Sequence, residues 1–156
     1  MRKLLITIAQ WGGVPSRLRS LILNLFGHKV TAIYSDCILG RGSGRIYMGA
    51  GSYINSGCFL DLNEDIIIGS NSSIAMRCTF ITTTHVIGGS GKRAGKTEYH
   101  SIHIGDGCWI GANTTILPGI TIGDGVVVGA GSLVTKDLVS NGLYYGRPAK
   151  LIKILE

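Results

Sequence analysis

An aliphatic residue occupies every sixth position of this chain from Ile104 to Val134. The full set is Ile104, Ile110, Ile116, Ile122, Val128 and Val134. A helix repeats about every 3.6 residues and an ordinary strand about every 2, so neither element alone explains this period. Glycine usually follows the aliphatic residue, and a small or β-branched residue usually takes the fifth place. The pattern is typical of the hexapeptide repeats of a parallel β-helix, in which three short sides close one turn of about eighteen residues.

The same register extends towards the N-terminus. Two further turns are marked by Met48, Ile54, Leu60, Ile68, Ile74 and Phe80, and a weaker one by Ile33 and Leu39. Between Phe80 and Ile104 the aliphatic register is lost, and the sequence becomes rich in glycine, lysine and arginine. We therefore expect a loop extruded from the coil near residues 86–101. Loops that leave a rigid repeat scaffold often carry function.

The N-terminal residues 1–30 lie outside the repeats and form a separate segment, followed by a β-helix domain over residues 31–156. Pro15 and Ser16 open a predicted helix that Gly27 ends, with an apolar stripe formed by Leu18, Leu21, Ile22, Leu25 and Phe26. This helix either caps the open end of the coil or, being basic and amphipathic, rests on the inner face of a membrane. The apolar run in residues 4–9 is too short for a secretory signal.

The expected fold class is therefore all-β, a parallel β-helix with a short N-terminal helix and an extruded loop. The hydrophobic content of 45% excludes a disordered chain, and 24 glycines suit the corners of such a coil. The net charge of +6 fits phosphate-bearing ligands or an anionic membrane, whereas the scarcity of aromatic residues argues against nucleic acid as a partner. Cys37, Cys58, Cys78 and Cys108 all take the inward fifth place, and unpaired buried thiols suit a reducing cytoplasm.

Several motifs resemble those of the hexapeptide-repeat acyltransferases. They are the Thr-His pair ending at His85, the stretches at residues 102–111 and 128–137, and the closing segment at residues 146–153. Within that family the chain is similar to the acetyl-CoA-dependent O-acetyltransferases for galactosides, maltose and surface polysaccharides. The resemblance implies a left-handed β-helix that assembles as a homotrimer, with active sites in the clefts between subunits.

The resemblance also implies a catalytic role for His85, which matches the family's catalytic histidine. Attack of a sugar hydroxyl on a thioester requires a base, and an imidazole can accept a proton near neutral pH. Direct transfer from acetyl-CoA needs no covalent enzyme intermediate. Asn55 matches the asparagine that holds the acceptor sugar. Asp61, in the same region, either orients His85 or binds the acceptor.

The coenzyme is expected along the outside of the coil. Ala112 and Ala130 match positions where a small side chain lets the pantetheine arm approach the main chain, and Thr135 and Lys136 match another contact pair. The remaining positions are basic and suit the phosphates: Arg147, Lys150 and Lys153.

The acceptor pocket departs from the galactoside and maltose pattern, because residues 1–30 and the loop after His85 differ from theirs. A surface polysaccharide, or a nucleotide- or lipid-linked sugar, is therefore the expected acceptor. An amine on an amino sugar is an alternative, since amines and hydroxyls both lose a proton during attack. Two other hypotheses are a zinc enzyme resembling the γ-class carbonic anhydrases, using His85, His100 and His103, and a scaffold without catalysis. The preferred hypothesis requires no metal.

Overall fold

The computed structural model describes residues 13–156, which contain one α-helix and seventeen strands. The helix is α1 (Ser16–Leu25). The strands are β1 (Ile38–Leu39), β2 (Ile46–Met48), β3 (Tyr53–Ile54), β4 (Phe59–Leu60), β5 (Ile66–Ile68), β6 (Ser73–Ile74), β7 (Thr79–Phe80), β8 (Thr83–Ile87), β9 (Ala94–Tyr99), β10 (Ile102–Ile104), β11 (Trp109–Ile110), β12 (Thr115–Ile116), β13 (Thr121–Ile122), β14 (Val127–Val128), β15 (Leu133–Val134), β16 (Gly142–Gly146) and β17 (Ala149–Ile154). The apolar run in residues 4–9, judged too short for a secretory signal, and the first twelve residues of the N-terminal segment lie outside the described residues.

Three sheets form the sides of a parallel β-helix. Sheet A has the order β13-β10-β5-β2, sheet B the order β17-β16-β14-β11-β6-β3, and sheet C the order β1-β4-β7-β12-β15. The chain passes from A to B to C and back to A in each turn. The predicted register is confirmed, since Ile68 pairs with Ile104, Ile74 with Ile110, and Phe80 with Ile116.

The hexad positions form the core of the coil. Ile110, Ile116 and Val134 are completely buried, and so is Phe80. The corners between sheets are equally crowded: a Cβ on Gly111 would lie 2.5 Å from the backbone nitrogen of Ala130 in the next turn. Such an approach allows only glycine, which explains why glycine so often follows the aliphatic residue.

The segment between Phe80 and Ile102 leaves the coil as predicted, but it is more ordered than a loop. β8 and β9 pair antiparallel, with His85 opposite Thr97, and form a two-stranded sheet of their own. We call residues 83–99 the His85 hairpin. A hairpin has no inward face here, so its residues lack the aliphatic period from which the coil was predicted.

Helix α1 begins and ends as predicted, and Gly27 follows it with φ +87°. The prediction of which helix face is buried is wrong. Leu23 enters the core together with Arg19 and Ser20 on the same side of the helix, whereas Leu18, Leu21 and Leu25 are exposed. Arg19 can lie inside because its guanidinium donates hydrogen bonds to the carbonyls of Val14 (2.8 Å) and Ile33 (3.1 Å). These bonds tie the helix to the first turn of the coil.

Membrane-spanning segments were sought among residues 13–156, and none of the helical structure there is long and apolar enough to cross a bilayer.

Candidate active site

His85 lies in β8 with an exposed side chain, and its ring is oriented by the opposite strand. Its Nδ1 lies 3.2 Å from the carbonyl oxygen of Gly95 and 3.5 Å from the hydroxyl of Thr97. A carbonyl oxygen only accepts hydrogen bonds, so Nδ1 carries the proton in the neutral ring. The lone pair of the neutral imidazole is then on Nε2. The ring is therefore set up to accept a proton at Nε2.

Asp61 secures the base of the His85 hairpin. Its Oδ2 accepts hydrogen bonds from the backbone nitrogen of Thr82 (3.2 Å) and the hydroxyl of Thr83 (2.6 Å), while Oδ1 accepts one from the side-chain amide of Asn63 (2.6 Å). The hydroxyl of Thr82 in turn donates to the backbone carbonyl of Asp61. The carboxylate thus holds the point where the chain leaves the coil, two residues before His85.

One group of predicted site residues lies at the edge where sheet C turns into sheet A, which we call the C–A edge. Asp61 follows β4 of sheet C, and the His85 hairpin connects β7 of sheet C to β10 of sheet A. Thr135 and Lys136 follow β15 of sheet C and precede Leu138, which bridges to Ile122 of sheet A. Lys136 is exposed and Thr135 is half-buried.

A second group lies at the edge between sheets B and C, which we call the B–C edge. Asn55, Ala112 and Ala130 each follow a strand of sheet B and precede one of sheet C. Arg147 joins them, because its guanidinium donates to the carbonyl of Gly131 at 3.4 Å. The side-chain oxygen of Asn55 accepts a hydrogen bond from the backbone nitrogen of Ser56 at 2.7 Å. This local bond orients the side-chain amide of Asn55.

Lys150 and Lys153 lie on β17, which extends sheet B as an antiparallel strand beside β16. Both lysines are exposed. Lys150 pairs with Tyr145, beside the turn that carries Arg147, whereas Lys153 pairs with Leu143 near the other end of β16. Arg147 and Lys150 therefore lie at one end of this strand pair, where cations could bind phosphate groups, and Lys153 lies further along β17.

The two groups of site residues do not meet within one subunit. The C–A edge and the B–C edge are different edges of the same prism, and sheet C lies between them. His85 and Asp61 are thus separated from Asn55 and Ala112 by the width of a side. A complete site built from both groups needs a second copy of the chain.

The three histidines of the zinc hypothesis do not converge. Within residues 13–156 no three His, Cys, Asp or Glu side chains form a group that could hold a metal ion. His85 contacts Gly95 and Thr97, and His100 pairs with Glu98 at 3.7 Å. His103 points outwards from sheet A, as its alternation with Ile102 and Ile104 predicted.

The four cysteines are buried in the coil, which does not suit a catalytic nucleophile. Interaction with the thiol of Cys58, together with burial, raises the pKa of Cys37 far above its ordinary value. For Cys58 the contact with Cys37 favours the thiolate, but the contact with Cys78 and burial outweigh it and raise the pKa to about 12. The neighbouring Cys58 thiol lowers the pKa of Cys78, and burial raises that of Cys108. All four side chains are at most 3% exposed.

Sequence patterns did not identify the partners of His85. Gly95 and Thr97 contact the imidazole only because β9 folds back on β8, and that pairing leaves no trace in the aliphatic period. Asn63 was also missed; it donates to both Asp61 and Thr83. A signal for Asn63 was available, since it follows Asp61 by two residues at the same corner.

Known proteins share both the sequence and the fold. Residues 101–136 match the family model described as bacterial transferase hexapeptide (six repeats). A Dictyostelium discoideum protein described as a candidate acetyltransferase is 40% identical over 137 residues, covering 86% of this chain and 72% of its own length. The galactoside O-acetyltransferase of Lactococcus lactis is 34% identical over 107 residues, which are 69% of this chain and 52% of that protein.

Two solved structures superimpose over nearly the whole chain. A maltose O-acetyltransferase from Clostridium difficile has a TM-score of 0.81 and 31% identity, covering 99% of this chain and 84% of that one. A hexapeptide-repeat acetyltransferase from Vibrio cholerae, solved with acetyl coenzyme A, has a TM-score of 0.85 and 26% identity, with coverage of 99% and 85%.

The parallel β-helix of hexapeptide repeats is the fold that this chain shares with the matched family and with the solved acetyltransferases. The chain belongs to the hexapeptide-repeat acyltransferase family, and the similar proteins within that family are acetyltransferases. It spans 72% of the Dictyostelium relative but only about half, 52%, of the Lactococcus enzyme.

Proposed function

We propose that the protein transfers an acetyl group from acetyl-CoA to a hydroxyl group of a sugar, with His85 as the general base. The observation that carries this proposal is the hydrogen bond from His85 Nδ1 to the carbonyl of Gly95, which leaves Nε2 free to accept a proton. The Lactococcus and Clostridium relatives are named for O-acetylation of galactosides and maltose, and the Vibrio relative was solved with acetyl coenzyme A.

In the proposed reaction the acceptor oxygen attacks the thioester carbonyl carbon while Nε2 of His85 takes the hydroxyl proton. A tetrahedral intermediate forms with its negative charge on the former carbonyl oxygen. The carbonyl then re-forms, the carbon–sulfur bond breaks, and the imidazolium returns its proton to the departing sulfur. Products are the O-acetyl sugar and free coenzyme A, and the imidazole ends neutral as it began. No acyl-enzyme is needed, in keeping with the burial of all four cysteines.

We infer a homotrimer from the separation of the site residues. The C–A edge of one subunit carries His85, Asp61, Thr135 and Lys136, and the B–C edge of a neighbour would supply Asn55, Ala112 and Ala130. Three copies around a threefold axis bring one edge of each kind together in every cleft. A closed cyclic assembly of this type gives three identical sites.

Coenzyme A would lie along the B–C edge. Ala112 is half-buried and Ala130 exposed, and their small side chains leave the main chain open to the pantetheine arm. Its phosphates would reach Arg147 and Lys150 beside the turn between β16 and β17, and Lys153 further along β17. Lysine supplies charge without the two-pronged geometry of arginine, so these contacts favour affinity more than orientation.

We propose the acceptor by its chemical class, a sugar. A sugar of a surface polysaccharide, or one linked to a nucleotide or lipid, suits the half-buried Asn55, whose amide can donate to and accept from hydroxyl groups. The geometry of His85 serves an amine acceptor equally well. Acceptor panels must therefore include amino sugars alongside their hydroxyl analogues.

The decisive experiment measures release of the coenzyme A thiol from acetyl-CoA with a panel of sugars. His85→Ala should lower kcat/KM by about a hundredfold or more, as expected for a positioned general base. His103→Ala is the matched control, because His103 is exposed in the middle of β10 on sheet A; it should retain wild-type activity. Activity of His85→Ala within a few-fold of wild type would remove His85 from the mechanism.

The shared site has its own test. His85→Ala and Asn55→Ala chains, each inactive alone, are co-expressed so that mixed trimers form. A cleft that takes its C–A edge from the Asn55→Ala chain and its B–C edge from the His85→Ala chain contains both wild-type residues. Mixed trimers should therefore recover activity. If they stay as inactive as either parent, His85 and Asn55 do not act across a subunit boundary.

A further inference from the structure

The helix that caps the coil presents its leucines outwards. Leu18, Leu21 and Leu25 are 47%, 57% and 73% exposed. Arg19, Ser20 and Leu23 form the buried face. At about 100° per residue the two faces point in nearly opposite directions. Leu18, Leu21 and Leu25, which we call the leucine face, therefore point away from the body of the coil.

The net charge of the described residues is concentrated at the same end. Residues 13–60 contain five lysines and arginines and a single acidic residue, Asp36, whereas residues 61–156 contain eight of each. Within residues 13–156 the net charge of +4 therefore belongs to the helix and the turns beside it. Turns of a β-helix stack in sequence order, so this excess gathers at one end of the prism rather than spreading over it.

Cations lie on the helix that carries the leucine face and in the first turn of the coil beside it. Arg17 lies on the helix itself and is exposed, and Lys29 is exposed just after the helix. Arg45 approaches the end of the helix, since a Cβ built on Gly27 would lie 3.2 Å from its Nε. Arg41 is exposed in the same first turn. An apolar face bordered by cations is the arrangement by which amphipathic helices bind anionic bilayers.

We propose that the capped end of the β-helix docks on an anionic lipid bilayer, with the leucine face among the acyl chains and Arg17, Lys29 and Arg41 at the headgroups. Charge complementarity selects this occupant. A second copy of the chain would bring two ends of the same positive sign together, which costs energy, whereas an anionic surface attracts them. In a threefold assembly the three caps lie at one end and would contact the bilayer together.

Vesicle sedimentation with the full-length protein tests the proposal. We expect binding to vesicles that contain phosphatidylglycerol, little binding to pure phosphatidylcholine, and weakening as salt is raised. Leu25→Glu should reduce partitioning about tenfold or more, because it puts a charge where an apolar side chain enters the membrane. Val139→Glu is the matched control, since Val139 is 60% exposed outside the cap; it should bind as wild type.

The charge contribution is tested by a pair of double variants. Arg17→Gln with Lys29→Gln should weaken partitioning about 25-fold at low salt, at about fivefold for each cation. Lys92→Gln with Arg93→Gln removes the same charge from the exposed tip of the His85 hairpin and should have little effect. Equal losses in the two double variants would show a general effect of net charge and overturn the proposal.

The other possible occupants give distinct results. If Leu25→Glu leaves vesicle binding unchanged, or if wild-type protein does not bind anionic vesicles at all, the leucine face is not a membrane surface. If Leu25→Glu instead halves the mass of the assembly in sedimentation equilibrium without vesicles, the face joins copies of the chain. Either result overturns the proposal, and neither depends on acetyl transfer.

Discussion

Replacing Asp61 with alanine removes the carboxylate that holds the base of the His85 hairpin. Three donors lose their acceptor: the backbone nitrogen of Thr82, the hydroxyl of Thr83 and the side-chain amide of Asn63. Thr82 is completely buried, so its N–H is left without a replacement, while the other two groups are half-buried and can turn to water.

The magnitude follows from these three losses. A buried donor left unpaired costs about 1–3 kcal/mol, and the partly exposed bonds to a charged group add about half as much again, giving about 2–4 kcal/mol in total. Asp61→Asn keeps one oxygen for the buried N–H but cannot accept from all three donors, so its cost should be about half. Glu64→Gln, three residues along the same corner, is the control and should change stability by less than about 0.5 kcal/mol.

Two measurements separate a positioning role from sugar binding. Urea unfolding reports the free energy of unfolding, and steady-state kinetics report kcat and the KM of the acceptor. A loosened hairpin should lower kcat for every acceptor, because Nε2 of His85 spends less time in place. If Asp61→Ala keeps wild-type stability and kcat but raises only the acceptor KM, then Asp61 binds the sugar and the anchoring argument is wrong.

Three further variants or treatments test the physical account of the fold. Arg19→Ala should lower the free energy of unfolding in urea by about 2–4 kcal/mol, because it leaves the carbonyls of Val14 and Ile33 without their donor. Arg17→Ala, on the exposed side of the same helix, should cost less than about 0.5 kcal/mol. Equal effects would contradict the buried role of Arg19. Ile110→Ala should cost about 2–5 kcal/mol, since Ile110 is completely buried, while Ile152→Ala, at 59% exposure, should be nearly neutral; a neutral Ile110→Ala would show that the coil is not closely packed there. The folded protein should resist iodoacetamide at pH 8 and react at all four cysteines once unfolded, because burial blocks access and the pKa of Cys58 is raised to about 12; rapid labelling of Cys58 in the folded state, read by mass spectrometry, would argue against that.

Raised thiol pKa values also give stability a pH dependence. A cysteine whose pKa is higher in the folded state keeps its proton there after the unfolded chain has lost it. The unfolded state then binds fewer protons than the folded state, so the free energy of unfolding falls as pH rises. For Cys58 this window runs from the ordinary thiol value near 9 to about 12. Cys58→Ala should flatten the decline measured over that window.

The coil was predictable from sequence because each turn repeats the same physical constraint. An inward aliphatic residue must recur wherever a side begins, and residues such as Ile74, Ile110 and Val128 pair in the register that the period implies. Local crowding at corners such as Gly111 adds a second, independent signal. Handedness has no such signature, and its expectation came from resemblance alone.

The His85 hairpin and the helix were harder for opposite reasons. The hairpin is paired but not packed, so hydrogen bonds such as that between His85 and Gly95 leave no hydrophobic pattern. Helix α1 has a clear apolar stripe, but periodicity indicates only which residues share a face. It does not indicate that Leu23 and a hydrogen-bonded Arg19 fit the end of the coil better than Leu21 and Leu25.

The spacing of the candidate site residues contains information about assembly. Asn55 and Asp61 are six residues apart, which is one side of the prism, so they lie at the two ends of β4 and at different edges. No rotation of side chains can bring them to one ligand, because sheet C separates them. The proposed threefold arrangement would remove the conflict by placing the B–C edge of one subunit against the C–A edge of the next. With Asn55 binding the acceptor and His85 taking its proton, as proposed, the hexad period that builds the core also separates these two tasks, and the proposed oligomer reunites them.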